Sequence, residues 1–419
     1  MRMEQKRTCI LPELLAPAGD LESLKAAVDF GADAVYLGAQ RFGMRSSPKN
    51  FDLETLAQGV AYAHGRGVRV YLTCNILMHN DDLPYLPDFF REAECCGVDA
   101  LIVTDLAALS LAKQCVPGME LHISTQEGIT NYLAADSFIQ LGARRVVLAR
   151  ELPLEEIAQI ARQLPPDAEV ECFVHGSMCV SFSGRCLLSE YFTGRDANRG
   201  DCCQPCRWKY ALMESTREGE YLPVDETEEG TFILSSKDMC MIEHIPDLVN
   251  AGIRSLKIEG RAKAAYYTAV VTNAYRCALD AYAANPSDDF RTPDWIVQEL
   301  EKVSHRTYCT GYFYDHPNRC GQIHNHAGYI RGWQVAAVVD RCGGGRCFVT
   351  QRNRFFDGEQ LEILPHGRPP FTVQVRDLRD ETGSPIASAP HPMMRASFRC
   401  EIPVEGGAIV RRKNVDKNK

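Results

Sequence analysis

The sequence lacks a long apolar run. No stretch approaches the roughly 20 consecutive apolar residues of a membrane span, and the first twenty residues lack the apolar segment of a secretory signal peptide. We therefore expect a cytoplasmic protein that does not associate with membranes. Because disulfides rarely persist in that reducing compartment, the 18 cysteines are expected to be thiols or metal ligands.

Familiar hydrolase motifs are also missing. The sequence contains no HExxH, no G-x-S-x-G and no recognisable Cys–His protease signature. It has no solenoid-type repeat. The net charge of −9 argues against a surface that attracts nucleic acid as a whole, so any RNA contact has to be local.

Eight short apolar runs alternate with amphipathic segments, a pattern typical of repeated βα units on a parallel sheet. The runs begin near Glu13, Asp33, Val68, Asp99, Glu120, Arg145, Glu169 and Ser255. A first helix should begin after the capping residue Asp20 and end at Gly31. Further helices are predicted at 53–66, 83–97, 131–142, 153–164 and 263–283. Eight such units fit a (β/α)8 TIM barrel better than an open sheet.

The remaining spacing predicts an insertion and a second domain. The TIM-barrel domain should span 1–284, with a Cys-rich insertion at 176–254 that lies over the catalytic face because it leaves the C-terminal end of the seventh strand. A linker is predicted at 285–324, where a polar, proline-bearing stretch is followed by a helix-like one, WIVQELEKVSH, and by loop sequence rich in Gly and His. Period-two alternation in 325–419 predicts a small antiparallel β-barrel.

Six cysteines crowd into the segment ECFVHGSMCVSFSGRCLLSEYFTGRDANRGDCCQPCRW. Five of them lie in polar loop sequence, whereas buried structural cysteines normally lie on apolar strand or helix faces, so the clustering indicates ligation. Cys179, Cys186, Cys202 and Cys206 offer four thiolates, the number that a 4Fe-4S cluster or a structural zinc requires. Zinc usually draws on C-x2-C pairs, so the spacing favours the cluster and leaves zinc as the alternative. Cys203 is a rival for Cys202.

Polar side chains should ring the C-terminal ends of the strands, where barrel enzymes bind their substrates. His175, Asp105 and Glu259 are candidates for acid–base catalysis, with a purely structural hydrogen bond as the alternative for a strand-end histidine. The other members of this predicted ring are Asn75, Gln126, Glu127, Arg150, Lys257 and Arg261.

Basic and aromatic residues alternate beside the cysteines, as in surfaces that bind phosphates and unstacked bases. An ordinary solvated loop would have a similar composition. The residues are Tyr191, Phe192, Arg195, Arg199, Arg207, Trp208, Lys209 and Tyr210, and the tail RRKNVDKNK adds further positive charge.

The cysteine segment resembles the signature of peptidase family U32, the collagenase-like peptidases. The matching residues, in order and spacing, are Glu171, Phe173, Gly176, Ser177, Met178, Cys179, Gly184, Cys186, Leu188 and Ser189. ELLAPAGD, GADAVYLG, CCQPCRW, SLKIEGR and the terminal β domain are also similar to that family. The resemblance covers nearly the whole chain.

This resemblance implies an activity and a cofactor. Family members of this length with a C-terminal β domain hydroxylate the wobble uridine of tRNA to 5-hydroxyuridine, using prephenate and an iron–sulfur cluster. Others hydroxylate a cytidine of 23S ribosomal RNA. By motif, the resemblance places the cluster ligands on Cys179, Cys186, Cys202 and Cys206, and the additional Cys203 departs from the family pattern.

The resemblance also implies the partners, tRNA and a small dicarboxylate donor. Two carboxylates favour bidentate cations, so Arg150, Arg185, Lys257 and Arg261 are the candidates for binding the donor, with Gln126 beside them. Salt bridges that close the barrel mouth are the alternative for each cation. A U32-type peptidase and a zinc-stapled RNA-binding protein without catalysis remain alternative functions, and the oligomeric state, homo-oligomers included, stays open.

Overall fold

A computed structural model describes residues 10–44, 50–179, 181–208, 212–213, 221–222, 236–314 and 329–414. Lys209, Tyr210 and the last residues of the basic tail, part of the predicted RNA-binding sequence, lie outside the described residues. Among the described residues, no helix is both long enough and apolar enough to cross a membrane.

A closed parallel barrel forms the first part of the chain. Its first seven strands are β1 (Glu13–Ala18), β2 (Ala34–Gly38), β3 (Arg69–Cys74), β4 (Ala100–Val103), β5 (Glu120–Ile123), β6 (Arg145–Val147) and β7 (Glu169–Ser177). Then come β8 (Leu212–Met213), β9 (Tyr221–Leu222), β10 (Asp238–Cys240) and β11 (Ser255–Ile258). Consecutive strands from β1 to β7 pair in parallel. β11 closes the barrel by pairing in parallel with both β7 and β1. The TIM-barrel prediction is therefore confirmed, with all eight strands at the predicted runs.

Helices cover the outside of this barrel. They are α1 (Leu21–Asp29), α2 (Leu53–His64), α3 (Leu86–Cys95), α4 (Leu106–Cys115), α5 (Tyr132–Gln140), α6 (Leu154–Gln163), α7 (Leu188–Thr193), α8 (Ile245–Asn250), α9 (Ala265–Ala284) and α10 (Asp294–Leu300). Asp20 caps α1 as predicted, because its carboxylate accepts a 2.8 Å hydrogen bond from the Ser23 amide. The sequence did not predict α4, since its apolar residues lie on several faces and give no clear helical stripe.

Buried ion pairs occupy the interior of the barrel near the N-terminal ends of its strands. Arg145, which is 1 % exposed, donates to Glu13 at 2.7 Å, to Glu171 at 3.0 Å and to Glu169 at 2.6 Å. Lys257 donates to the other oxygen of Glu171 at 2.7 Å. Each buried charge thus has a partner of opposite sign, which burial in a low-dielectric interior requires.

The second part of the chain is antiparallel. After β12 (Tyr308–Cys309) it contains β13 (Trp333–Gly343), β14 (Arg346–Gln351), β15 (Phe355–Phe356), β16 (Gln360–Leu364), β17 (Phe371–Gln374), β18 (Arg379–Asp380), β19 (Ser388–Ala389), β20 (Arg395–Arg399) and β21 (Ile409–Lys413). Seven of these strands form one sheet in the order β17-β16-β21-β13-β14-β20-β18. The predicted antiparallel β domain is confirmed, as a half-barrel with its own apolar core.

One cysteine expectation is wrong. Cys342 and Cys347 form a disulfide, although all cysteines were expected to be thiols or metal ligands. The two residues face each other across the β13–β14 hairpin with their Cα atoms 4.4 Å apart, a separation that a disulfide spans. Compartment and loop composition do not show such cross-strand pairing.

The predicted linker contains regular structure. Its residues include α10, which packs against α9, and β12, which is parallel to β10 at the edge of the barrel sheet. The two parts of the chain also share a buried ion pair, because Arg411 of β21 donates to Glu299 of α10 at 2.6 Å. Leu364 and Ile409 of the β domain pack into the core of the barrel. The domain boundaries stay predictions.

A chain that ends at residue 324 is expected to keep the barrel but to unfold more easily. It loses the apolar contacts of Leu364 and Ile409, and Glu299 keeps Lys302 but loses Arg411. The expected cost is about 3 kcal/mol or more of unfolding free energy. Urea unfolding of both chains measures it, and Glu299→Gln should recover part of the loss only in the shortened chain. An unfolded short chain would contradict the predicted boundary.

Candidate active site

A cavity opens at the C-terminal end of the barrel strands and is covered by the loops after β7. Its volume is about 910 Å³, open mouth included. Four of the cysteines that the sequence singled out line it, namely Cys179, Cys186, Cys202 and Cys206. Polar groups from the strand ends line the same cavity, so thiols and charged side chains share one substrate-sized space.

Local hydrogen bonds hold the cysteine loops in place. The Asn198 side chain accepts from the Cys186 amide at 3.0 Å and donates to the Cys186 carbonyl at 3.1 Å. The backbone N–H groups of Leu188 and Gln204 point at the sulfurs of Cys186 and Cys202, at 3.3 and 3.4 Å.

Electrostatics links the four thiols. Burial raises the pKa of the Cys206 thiol, and nearby Cys179, Cys202 and Cys186 raise it further because several thiolates repel one another. The Cys206 thiol would therefore lose its proton readily only where a cation compensates the thiolate charge, as a bound metal centre would.

Cys203 faces away from the cavity. Its sulfur lies 3.2 Å from the Ser189 hydroxyl and 3.3 Å from that of Thr193, both on α7. These hydrogen bonds lower the pKa of the Cys203 thiol. The structure therefore separates the two neighbouring cysteines: Cys202 lines the cavity and Cys203 packs on α7.

Two arginines of the predicted anion site line the cavity. Arg150 lies 5.6 Å from the centre of the Phe173 ring, and its buried Nε has no hydrogen-bond partner among the described residues. Arg261 donates to the Thr73 hydroxyl at 3.0 Å. The described residues place no carboxylate in an ion pair with Arg150, so its guanidinium is available to an anion in the cavity.

Lys257 also lines the cavity, but the carboxylate of Glu171 neutralises its charge. Its ammonium binds Glu171 and lies 4.5 Å from the centre of the Tyr36 ring. The alternative of a salt bridge therefore describes Lys257 better than a free anion site does. Glu171 stays ionised, because Lys257 and Arg145 lower its pKa to about 2 against the opposing effect of burial.

Gln126 lines the cavity and Arg185 does not. The Arg185 side chain is nearly half exposed and bonds the Gln126 carbonyl at 2.6 Å and Glu127 at 3.4 Å. Arg185 thus fixes the loop after β5 from outside, and the structure does not bring it together with Arg150 and Arg261.

The candidate acid–base residues separate into two groups. Glu259 lines the cavity, where the Tyr36 hydroxyl lies 3.4 Å from its carboxylate. Asp105 instead caps α4, accepting from the Ala107 amide at 2.6 Å. The geometry assigns Asp105 a structural hydrogen bond and keeps Glu259 as a candidate.

His175 lies on the barrel strand β7 but does not line the cavity. It is 1 % exposed and packs against Tyr267, Tyr275 and Tyr308, and burial lowers its pKa to about 3. A register shift between β7 and β11 precedes this residue, so strand alternation does not predict its direction. Its geometry fits the structural alternative.

Sequence reasoning missed several cavity residues inside the strands. Tyr36, Thr73, Ser124 and Phe173 line the cavity but were read as parts of strands or of the family signature. The sequence gives little indication of them, because a strand position that points into the barrel can hold an ordinary core residue equally well. Asn75, which was noted at a strand end, donates to the Ser124 hydroxyl at 3.2 Å.

Two of the predicted RNA-binding arginines are committed to ion pairs. Arg195 binds Asp201 and Arg199 binds Asp82. The aromatic residues do assemble on the surface: Tyr191, Phe192 and Trp208 are 83, 47 and 42 % exposed, with neighbouring ring centres 5.2 and 6.1 Å apart.

Fold and cavity together define a TIM-barrel protein with a four-cysteine site at its catalytic end. Residues 19–323 match the family model of peptidase family U32, and residues 331–411 match that of the U32 C-terminal domain. The chain belongs to peptidase family U32.

Similar proteins carry different names. tRNA hydroxylation protein P1 of Bacillus subtilis is 37 % identical over 96 % of this chain and 94 % of its own length. tRNA hydroxylation protein P of Escherichia coli is 34 % identical over 90 % and 91 %. A collagenase of Porphyromonas gingivalis is 34 % identical over 72 % and 73 %. The solved structure of a U32 peptidase matches 62 % of this chain and 97 % of its own length, at 13 % identity and a TM-score of 0.40.

Proposed function

We propose that this protein hydroxylates the wobble uridine of tRNA to 5-hydroxyuridine, with a 4Fe-4S cluster on the four cavity cysteines and prephenate as donor. The observation that carries the proposal is the meeting of four thiols and the available Arg150 guanidinium in one cavity. Similarity to two tRNA hydroxylation proteins along almost the whole chain supports tRNA as the substrate.

The donor set fits a cluster better than a single zinc ion. Tetrahedral zinc with 2.3 Å bonds brings its sulfurs within about 3.8 Å of one another. Among the four proposed ligands no C-x2-C pair occurs, which is the spacing that structural zinc usually uses. A four-iron cluster spreads its ligands further, since each thiolate binds a different iron. When bound, it would supply electron transfer beside the substrate.

The charged and polar side chains that line the cavity fit an anionic donor. Arg150 and Arg261 present guanidinium groups that bind carboxylates in bidentate fashion, and Gln126 and Asn75 add neutral donors. Hydroxylation replaces the C5–H bond of uracil with C5–O and oxidises the base by two electrons. The donor therefore breaks its own C–O bond, forms a C–H bond and is reduced by two electrons.

Peptidase activity is the second candidate, because the family and one similar protein carry that name. The cavity geometry gives it little support: of the described residues that line the cavity, none is a histidine that could activate a cysteine or serine.

Nucleoside analysis tests the proposal. A strain without this gene should lose 5-hydroxyuridine and its derivatives from tRNA, and the wild-type gene should restore them, as measured by mass spectrometry of tRNA digests. Incubation of the purified protein with gelatin tests the peptidase alternative, with gelatin cleavage as the readout. Unchanged tRNA nucleosides in the deletion strain would refute the proposal, and gelatin cleavage that survives active-site substitution would mark contamination.

Substitution of the two cavity arginines is expected to weaken donor use. Arg150→Gln and Arg261→Gln should each raise the KM for prephenate about tenfold or more, since each loses a charged hydrogen bond to a carboxylate. Arg185→Gln is the matched control, because that arginine lies outside the cavity. The measurement is 5-hydroxyuridine formation against prephenate concentration. Equal effects of all three substitutions would contradict the assignment.

A further inference from the structure

A cluster of cations surrounds Tyr329 beside the cysteine cavity. We define this basic cluster as Arg207, Lys263, Arg306 and Arg331. Arg207 donates to the Tyr329 hydroxyl at 2.7 Å. Lys263 lies 4.2 Å from the centre of the Tyr329 ring, and Arg306 and Arg331 each lie 5.9 Å from it.

Four chain segments build this cluster, with Arg306 contributed by the residues just before β12. Cys206 and Arg261 line the cavity. Arg207 directly follows Cys206, and Lys263 lies two residues after Arg261. Arg331 comes from the start of the β domain. Residues far apart in sequence have therefore been brought together around Tyr329, and two of them lie within two residues of the cavity lining.

The cluster carries more positive charge than the surrounding groups neutralise. Asp238 pairs with Arg306 at 2.8 Å. In the part of the chain that the structure describes, no carboxylate forms an ion pair with Arg207, Lys263 or Arg331. Burial lowers the pKa of Lys263, and repulsion from Arg207 and Arg306 lowers it further, against the opposing effects of Tyr329 and Asp238. Assembling like charges is unfavourable unless an anion joins them.

Exposed aromatic rings follow one of these cations along the chain. Trp208 is the neighbour of Arg207 in sequence, and it forms an aromatic patch with Tyr191 and Phe192. Large exposed rings next to cations are the combination that binds single-stranded nucleic acid, since rings stack on bases while cations bind phosphates. A small dicarboxylate would need no aromatic surface outside the cavity.

We propose that Arg207, Lys263 and Arg331 of the basic cluster bind phosphodiester groups of single-stranded RNA while the aromatic patch stacks a neighbouring base, so that the next nucleotide reaches the cysteine cavity. Arg306 is 1 % exposed and stays paired with Asp238 beneath them. This inference rests on the proposed function for the identity of the RNA. It gives the β domain a role, because Arg331 and Tyr329 belong to the segment that enters it. Contacts to phosphate and ring faces fix position and leave base choice to the cavity.

Binding and activity are measured separately on the full-length, metal-loaded protein. The probe is a synthetic tRNA anticodon stem-loop with uridine at the wobble position. Lys263→Gln and Arg331→Gln should each weaken its binding about tenfold and flatten the dependence of log affinity on log salt by about 0.7. Trp208→Ala should weaken binding about tenfold through lost stacking.

Matched controls lie elsewhere on the surface. Arg162→Gln removes an exposed arginine from the outer helix α6, and Phe356→Ala removes a ring that is 44 % exposed, close to the 42 % of Trp208. Both control variants should bind the stem-loop like the wild type. All variants should keep the wild-type KM for prephenate and the wild-type unfolding temperature.

The outcomes separate this inference from the proposed function. Cluster variants that bind RNA like their controls overturn the inference even when the wild type hydroxylates tRNA. A higher KM for prephenate with unchanged RNA affinity also overturns it, since the cluster would then serve the donor. Weakened RNA binding in the three variants, with no 5-hydroxyuridine made by the wild type, supports the RNA site and refutes the proposed reaction.

Discussion

Serine at position 179, 186, 202 or 206 is expected to remove the iron from the protein and to lower tRNA hydroxylation about a hundredfold or more. A serine hydroxyl is a hard ligand that is not deprotonated near neutral pH, so it replaces a thiolate poorly on iron. All four positions line one cavity, so each loss leaves the cluster with three protein ligands.

Cys203→Ser is the matched control for this series. Cys203 has the same chemistry and directly follows Cys202, but its sulfur packs against Ser189 and Thr193 on α7. The measurements are iron and sulfide content of the five variants purified without oxygen, together with 5-hydroxyuridine in their tRNA. Iron loss in Cys203→Ser with full iron in Cys202→Ser would exchange the two residues. Full iron in all five would remove the cluster from the proposal.

Glu171→Gln is expected to destabilise the barrel by about 3 kcal/mol at pH 7. Glu171 is fully buried and binds both Arg145 and Lys257, so the substitution leaves two buried cations with one anion fewer. The drop in its pKa from 4.5 to about 2 corresponds to the same magnitude, at about 1.4 kcal/mol for each pH unit.

Glu169→Gln is the control for this second prediction. Glu169 also binds Arg145, but its side chain is 21 % exposed, so its loss should cost about 1 kcal/mol or less. The folded-state pKa of Glu171 lies below the unfolded value. Its contribution is therefore complete above about pH 4.5 and is lost as the pH falls towards 2. Urea unfolding at pH 7 and pH 4 measures both variants, and equal costs would contradict the network.

The cysteine site shows how far local sequence reaches. Spacing and loop composition were enough to select Cys179, Cys186 and Cys206 and to favour Cys202 over its rival Cys203 as the fourth, because ligands in one segment are constrained by the chain between them. The choice between Cys202 and Cys203 depended on α7, whose Ser189 and Thr193 hold Cys203. Adjacent residues share almost the same local sequence, so only the packing partner distinguishes them.

Charged residues at the strand ends were harder to assign. On sequence grounds Arg150, Arg185, Lys257 and Arg261 were all candidate donor-binding cations. Three of them lie at predicted strand ends, and Arg185 lies in the Cys-rich insertion. Their roles differ because of distant partners: Glu171 neutralises Lys257, and the loop after β5 holds Arg185. A register shift likewise decided the direction of His175. None of these partners is near in sequence.

The sequence by itself determined the barrel, the antiparallel domain and the cysteine segment, since these follow from periodicity and spacing within short stretches. Only the tertiary structure decided which charges are compensated, where His175 points and which cations surround Tyr329. The physical reason is range: backbone periodicity is set by neighbours, whereas the energy of a charge depends on burial and on partners brought close by folding.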